Sequence, residues 1–331
     1  METVADAGRQ HRGPVDPPTG AKLNPSVSIA ILNYQRREAL RRCLEAARSQ
    51  RYPLEILVVD NASTDGSPDM VRDEFPDVRL VRLPQNIATA ARNIGVASAK
   101  GDIVFTIDND VLFTTPDDVV RCLEVFERHP RVAVVNFMIL DSKGQLCRRD
   151  WCHPRDADQW GELEFPTDYV LEGTSACRRE PFLATGGYWP PMFIGHEGWD
   201  LGFRLLDSGW DLLYSPAVRV QHLVDPGARP SNRIYYTFTR NAIWVALRNL
   251  SPGAAAISIA KDMALMAFAS ARAGQLAAYR RGIVDAIRGA RPALDTRRPI
   301  SPATRRRHRE IHRLKPGVLA IARRHIQQRL I

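Results

Sequence analysis

The stretch FTIDNDV, residues 105–111, carries an apolar, β-rich run into two carboxylates, Asp108 and Asp110, with only Asn109 between them. Strands often end in Asp or Asn simply because these residues start the next turn. The same residues at the carboxyl edge of a parallel sheet stand where open α/β folds bind ligands, and hard oxygen donors suit Mg²⁺ or Mn²⁺. Turn capping and metal ligation both fit the spacing, so the neighbouring segments must decide.

Upstream, VSIAIL (27–32) is a short apolar strand running out at Asn33 and Tyr34, and REALRRCLEAARSQ (37–50) has apolar residues at helical spacing. LEILVVD (54–60) is a second strand, the turn cluster NASTDGS follows, and a helix forms around PDMVRDEF. VRLVRL (78–83) alternates as a third strand. NIATAARNIGVASAKG (86–101) reads as a small-residue helix stopped by Gly101, and DIVFTID is the fourth strand. Downstream come a helix, DDVVRCLEVFERHP, and a strand, RVAVVNFMI. Strands alternating with connections of helical length predict a mostly parallel sheet with helices on both faces.

Beyond residue 140 the rhythm changes. Residues 141–169 show no period and are expected to form an irregular binding loop or short hairpin. YVLEGTSACRREPFLATGGY (169–188) gives a strand and a short helix ended by Gly186 and Gly187. A helix follows between Trp199 and Ser208, and VRVQH (218–222) is a strand ending at His222. From residue 231 the chain is helical. AAAISIAKDMALMAFASARAG (254–274) is interrupted by Lys261 and Asp262, so it predicts a packed or interface-lying helix rather than a span of ~20 apolar residues. The basic amphipathic pattern over 304–331 fits either a solvated tail or a helix resting on anionic lipid.

Composition sets the frame. The 331 residues are 44% hydrophobic and 25% charged, enough for a substantial core, and the net charge of +9 favours anionic partners. No nucleic-acid reader motif is present, so nucleic acid is not expected. Five cysteines without a regular framework, and no charged-then-apolar leader, predict a reduced cytoplasmic setting. Cys147, Cys152, His153 and Cys177 match no familiar zinc spacing.

The segments VSIAILNYQR, ILVVDNASTDGS, NIATAARNIGVASAKGDIVFTIDNDV, GTSACRREPFLATGGY and GHEGWDLGFRLL stand in the order and spacing of family 2 glycosyltransferases, and the resemblance covers residues 27–223. The helical part, with RIYYTFTRNAIWVALRN, is similar to rhamnosyltransferase-like members. The resemblance implies a GT-A fold, an α/β, Rossmann-like, mostly parallel mixed sheet flanked by helices. It divides the chain into a disordered tail (1–25), a catalytic domain (26–230) with a nucleotide-binding half (26–112) and an acceptor half (113–230), and a helical extension with a basic tail (231–331).

It also implies roles. The IDND element resembles the family's DxD motif. Asp110 and His222 would ligate Mn²⁺ or Mg²⁺, Asp108 would reach the metal, its water or the ribose, and Asn109 would lie beside the nucleotide. Asp60 would accept from a pyrimidine N3–H, Arg92 would sit near the nucleotide, and Asn33 and Tyr34 would line the exit of the first strand. Asn61 is a nucleotide-side or turn residue, and Asp65 a turn residue. Where the family has a Glu-Asp pair this chain has Glu197 and Gly198, so the general base would be Glu197 or, a turn further in, Asp200, with Glu197 favoured. The activity so implied is inverting, metal-dependent transfer of a sugar from a dTDP- or UDP-linked donor to a hydroxyl of a glycan, lipid-linked glycan or small metabolite, in the cytoplasm or at the inner membrane face. A noncatalytic sugar-nucleotide or glycan-binding protein is the alternative. Nucleotidyl transfer is disfavoured by the lack of a Gly-rich, lysine-bearing loop after the first strand.

Overall fold

The computed structural model describes residues 24–223 and 231–314. The predicted tail over 1–25 and the last part of the basic tail lie almost wholly outside the described residues.

The first half alternates as expected: β1 (Val27–Asn33), α1 (Arg37–Arg48), β2 (Leu54–Asp60), α2 (Ser67–Glu74), β3 (Arg79–Arg82), α3 (Ala91–Ser98) and β4 (Ile103–Asp108). These strands pair in parallel in the order β3-β2-β1-β4. β1 and β4 are buried almost throughout, as befits parallel strands covered on both faces. Strand order reverses at β1: β2 lies on one side of it and β4 on the other. In such folds the crevice beyond the carboxyl ends of the two diverging strands is the ligand site. Here those ends are Asn33 and Asp108, and the register sets Asn33 opposite Asp60 and Leu32 opposite Asp108.

The second half continues with β5 (Val111–Phe113), α4 (Asp118–Arg128), β6 (Val132–Leu140), α5 (Ala157–Trp160), β7 (Phe165–Thr167), β8 (Thr174–Arg178), α6 (Arg179–Ala184), α7 (Glu197–Asp207) and β9 (Asp211–His222). β8 inserts antiparallel between β4 and β6, and β9 runs parallel to β6. β9 is longer than its sequence signal because it changes partners along its length. Leu212–Tyr214 pair with β7, whereas Val220–His222 pair with β5, which carries His222 back to Val111.

The large buried cluster on one face packs Leu40, Leu44, Met70 and Val71 of α1 and α2 against Ile29, Ile31, Ile103 and Phe105. The opposite face packs Val96, Leu201 and Leu205 against Ala30, Leu57 and Val104. The extension folds as α8 (Ser231–Asn249), α9 (Pro252–Arg272), α10 (Leu276–Arg288), α11 (Ala290–Asp295) and α12 (Pro302–His312). α8 braces the loop before α7: Asn241 Nδ2 donates to the carbonyls of Met192, Ile194 and Gly195 at 2.9, 3.0 and 2.6 Å. Phe193 and His196 in that loop have positive φ of 63° and 67°, so the brace holds a sparsely populated backbone just before Glu197.

Candidate active site

A cavity of about 490 Å³ opens at the carboxyl ends of β1, β4 and β9, walled by Tyr34, Arg92, Asp108, Glu172, Glu197 and His222 among others. A second hollow, of about 470 Å³, lies at the opposite edge around Asp102 and Arg178, away from the DND acids.

Three side-chain pairs stand in or against the cleft: Arg92, Asp108, Glu172, Glu197 and His222 line it, while Asp110 is buried outside its lining. Asp108 is ion-paired with the buried guanidinium of Arg92. Gly173 lets its backbone approach, because a Cβ there would overlap Asp108. Asp110 pairs through Oδ2 with Arg36, and Nε2 of His222 stands 3.6 Å from the same oxygen. The other ring nitrogen of His222 lies 2.7 Å from Oδ2 of Asp150, a residue in the stretch that had no readable period. Burial works against the imidazolium, but hydrogen bonds and charge from Asp110 and Asp150 outweigh it and raise His222 to about 9. Burial likewise opposes the Asp150 carboxylate, yet His222 draws it down to about 2.

The third pair is Glu197 and Glu172. Glu197 opens α7, where the helix N-terminus favours an anion. Its Oε1 accepts from Thr89 Oγ1 at 2.6 Å, and its buried Oε2 has no hydrogen-bond partner. Glu172 was not singled out from the sequence. It accepts from Tyr169 Oη at 3.0 Å and from the Gly198 amide at 2.8 Å. Burial, followed by the charge of Glu197, raises Glu172 to about 8, and burial also raises Glu197. Two crowded, buried carboxylates resist ionising together, so the pair titrates as a unit above the ordinary carboxylate range. This explains the glycine at position 198: a Cβ there would overlap the Val170 carbonyl and sit 2.7 Å from Glu172 Oε1. The carboxylate that the family carries at this position is excluded, and the Glu172 carboxyl occupies the space. The only hint in the sequence is an acid immediately before a glycine at the start of β8.

Other residues support the cleft without walling it. Asn33, fully buried, donates to Asp60 Oδ1 at 2.8 Å and accepts from Asn109 at 2.7 Å, while Asp60 Oδ2 accepts from the Ser63 amide at 3.1 Å. The network fixes the ends of β1, β2 and β4 relative to one another. Asn61 does line the cleft, and it pins the following loop through Asn86 and the Ile87 amide, both at 2.9 Å. Asp65 is the turn residue expected, accepting from the Ser67 and Arg37 amides at 3.1 and 2.8 Å.

One expectation is corrected. Asp200 does not face the cleft: it is fully buried on the far side of α7, bonded to Arg248 Nε at 2.8 Å, Arg204 Nη2 at 2.7 Å and Asn249 Nδ2 at 2.8 Å. One turn inside the helix its side chain points to α8, so it joins the extension to the core and cannot reach an acceptor in the cavity.

Asp110 and His222 offer an oxygen and a nitrogen to one point, and the Arg36 guanidinium already supplies positive charge against that oxygen. A divalent cation would fit these donors once it displaced the proton of the raised His222 imidazole and the Arg36 guanidinium, with Asp108 on the neighbouring cleft wall. None of the five cysteines is joined in a disulfide, Cys147 directs its Sγ to Asp150 at 3.3 Å, and none joins a metal-binding cluster among the described residues.

Comparisons with known proteins bear on the family and the fold. The N-acetylglucosaminyl-diphospho-decaprenol L-rhamnosyltransferase of Mycobacterium tuberculosis is 24% identical, over 51% of this chain and 66% of its own length. The uncharacterized glycosyltransferase YibD of Escherichia coli is 27% identical over 52% of this chain and 45% of its own. The chain thus spans from under half to about two thirds of these relatives' lengths. A mannosyltransferase from Pyrobaculum calidifontis, solved with GDP-Man and Mn²⁺, superposes with a TM-score of 0.54 over 88% of this chain and 85% of its own at 20% identity. GalNAc-T7, solved with UDP, GalNAc and Mn²⁺, gives 0.54 over 70% and 49% at 16% identity. Both likenesses establish the GT-A architecture. The sequence profile described as Glycosyl transferase family 2 matches residues 28–186, and this part of the chain is a domain of that family.

Proposed function

We propose that the chain is a metal-dependent, inverting glycosyltransferase that moves a sugar from a nucleotide-diphosphate donor to an acceptor hydroxyl in a single displacement. The observation that carries this reading is that one cleft is lined by the Asp108–Arg92 pair, the Glu197–Glu172 pair and His222, whose Nε2 faces the buried Asp110. When bound, a Mn²⁺ or Mg²⁺ ion supplies positive charge to the departing diphosphate. Asp110 and His222 would hold it, with Asp150 fixing the imidazole tautomer from behind. Arg92 and Asp108 orient the nucleotide side, and Tyr34, half exposed at the rim, offers its ring to the base.

On the acceptor side Glu197 is the general base. Its unpartnered Oε2 takes the hydroxyl proton as the oxygen attacks the anomeric carbon, while the leaving diphosphate departs from the opposite face. Burial and the charge of Glu197 raise Glu172, which favours a state in which the pair shares a single negative charge. The missing aspartate at Gly198 keeps a noncatalytic binder as the alternative, and the Glu172 carboxyl beside that position supports the enzyme reading over it.

Donor sugars with dTDP or UDP and a lipid-linked glycan acceptor are the substrates we favour, consistent with the rhamnosyltransferase relative. A lipid-linked acceptor also suits α9. Among the described residues it is the one helix long and apolar enough to cross a membrane, yet it lies along the surface of the extension with Ile257 and Phe268 exposed. We read it as resting on the inner face of an anionic membrane, and the free cysteines suit a reducing compartment. The test is release of nucleoside diphosphate from a panel of nucleotide sugars with Mn²⁺ or Mg²⁺, with and without EDTA. Turnover that EDTA abolishes and Glu197→Gln slows supports the proposal, whereas donor binding without turnover across many acceptors returns the protein to a binding role.

A further inference from the structure

α12 carries His308 and His312 four residues apart, so both imidazoles leave the same face of the helix. They converge on Asp168, just after β7: His308 Nδ1 lies 2.6 Å and His312 Nε2 2.7 Å from the same oxygen, Oδ2. Asp168 is fully buried, and its second oxygen, Oδ1, has no hydrogen-bond partner. Buried carboxylate oxygens are normally satisfied, so two rings crowding one oxygen while the other stays bare calls for a reason. The three donor atoms lie within 4.8 Å of one another, and no other trio of His, Cys, Asp or Glu does so among the described residues.

We propose that Asp168, His308 and His312 form a second cation site, for a zinc-class transition ion, that clasps the helical extension to the catalytic core. A pair of histidines at i and i+4 on one helix is a recurrent zinc arrangement, and two imidazoles with one carboxylate suit Zn²⁺ far better than Mg²⁺ or Mn²⁺. Ligand atoms placed ~2.1 Å from a tetrahedral ion stand roughly 3.4 Å apart, so the present spacing needs an opening of under about 1 Å. His308 and His312 are 32% and 23% exposed, which leaves a water-accessible side for a fourth ligand. The backbone at Asp168 is rigid, because α7 lies against it at Gly202, where a Cβ would overlap the Asp168 carbonyl. Tyr169, the next residue, bonds Glu172, so the clasp would also steady the segment that supplies the proposed proton-holding acid.

The test uses the full chain after EDTA treatment and dialysis, in an Asp110→Ala background that disables the donor cleft. Zinc is titrated by calorimetry and counted by elemental mass spectrometry, with Co²⁺ absorption as an independent readout. One equivalent bound in this background, tetrahedral Co²⁺ bands, a Tm that rises with zinc, and loss of all three in His308→Gln/His312→Gln are expected. If zinc at tens of micromolar fails to bind, or binds equally in the double variant, the trio is a hydrogen-bonded clasp without metal and the proposal is overturned. Asp168 is left intact because its substitution risks the fold.

Discussion

His222 presents Nε2 to Asp110 Oδ2 at 3.6 Å while Asp150 holds its other nitrogen, so a residue from an irregular loop orients a histidine at the end of a strand. Partners that orient a metal-binding imidazole typically affect metal affinity by about 10–100-fold. Asp150→Asn should therefore weaken Mn²⁺ activation by that factor yet recover at high Mn²⁺, whereas Asp110→Ala should not recover. Mn²⁺ titration of donor hydrolysis separates the two. An unchanged Mn²⁺ dependence in both variants would remove this pair from the metal.

The buried Asp200 and the cleft-facing Glu197 should fail in different ways. Asp200 answers two guanidiniums in the interior, and removing one member of such a network costs about 3–5 kcal/mol because the partners stay buried and uncompensated. Asp200→Asn should lower the urea midpoint strongly while the kcat per folded molecule at low temperature is retained. Glu197→Gln should do the reverse, holding the midpoint and lowering kcat by about 10²–10⁴. A selective kcat loss in Asp200→Asn with normal stability would move the base to that residue.

These two residues also show what the sequence could and could not disclose. Alternating apolar runs and turn clusters marked β1 to β4, and the reversal of strand order placed Asn33 and Asp108 beside one crevice, so the nucleotide half was readable from local signals. The other half depends on distant pairings. β9 is legible only as VRVQH because its first part gains its strand character from β6 and β7. Asp150 has no local signal and Glu172 only the glycine that follows it, since each matters through a residue 72 or 26 positions away. The resemblance made Asp200 the alternative base to Glu197, but the helix turns it toward Arg248, a partner 48 residues on. The pair His308 and His312 lay inside a basic run, where charge masked the i, i+4 spacing.

Gly198 is expected to resist the substitution that would restore the family pattern. Gly198→Asp drives a side chain into the Val170 carbonyl and toward Glu172, and overpacking of this kind costs about 1–3 kcal/mol or more. The variant should be less stable and slower, not faster. Higher kcat in Gly198→Asp with an unchanged Tm would show that Glu172 does not fill the role given to it here.

The same pair makes a prediction about pH. Glu172 is raised in the folded chain to about 8 by burial and by Glu197, so its contribution to stability is fully present below its ordinary value near 4.3 and is lost as pH rises through about 8. Tm should fall as pH rises from about 5 to about 8 in the wild type, level off above that, and fall less in Glu172→Gln, which keeps a neutral group of similar shape. The acidic limb of kcat, set by Glu197, should lie above the ordinary glutamate range and stay in place in Glu172→Gln, because Glu172 is already protonated there. Parallel Tm profiles for the two proteins would place the charge elsewhere.

α9 leaves Ile257 73%, Leu265 48% and Phe268 64% exposed, on turns that also present Lys261 and Arg272. Apolar side chains interleaved with cations on a solvent-facing helix match the headgroup boundary of an anionic bilayer, and the +9 net charge favours the same surface. Burying one Ile or Phe is worth about 1.5–3 kcal/mol, so Ile257→Glu with Phe268→Glu should reduce sedimentation with phosphatidylglycerol vesicles by at least about tenfold. Truncation after Leu314 removes residues 315–331 and should leave most of the binding if α9 is the contact. Binding that survives the double substitution but vanishes on truncation would assign the membrane contact to the basic tail instead.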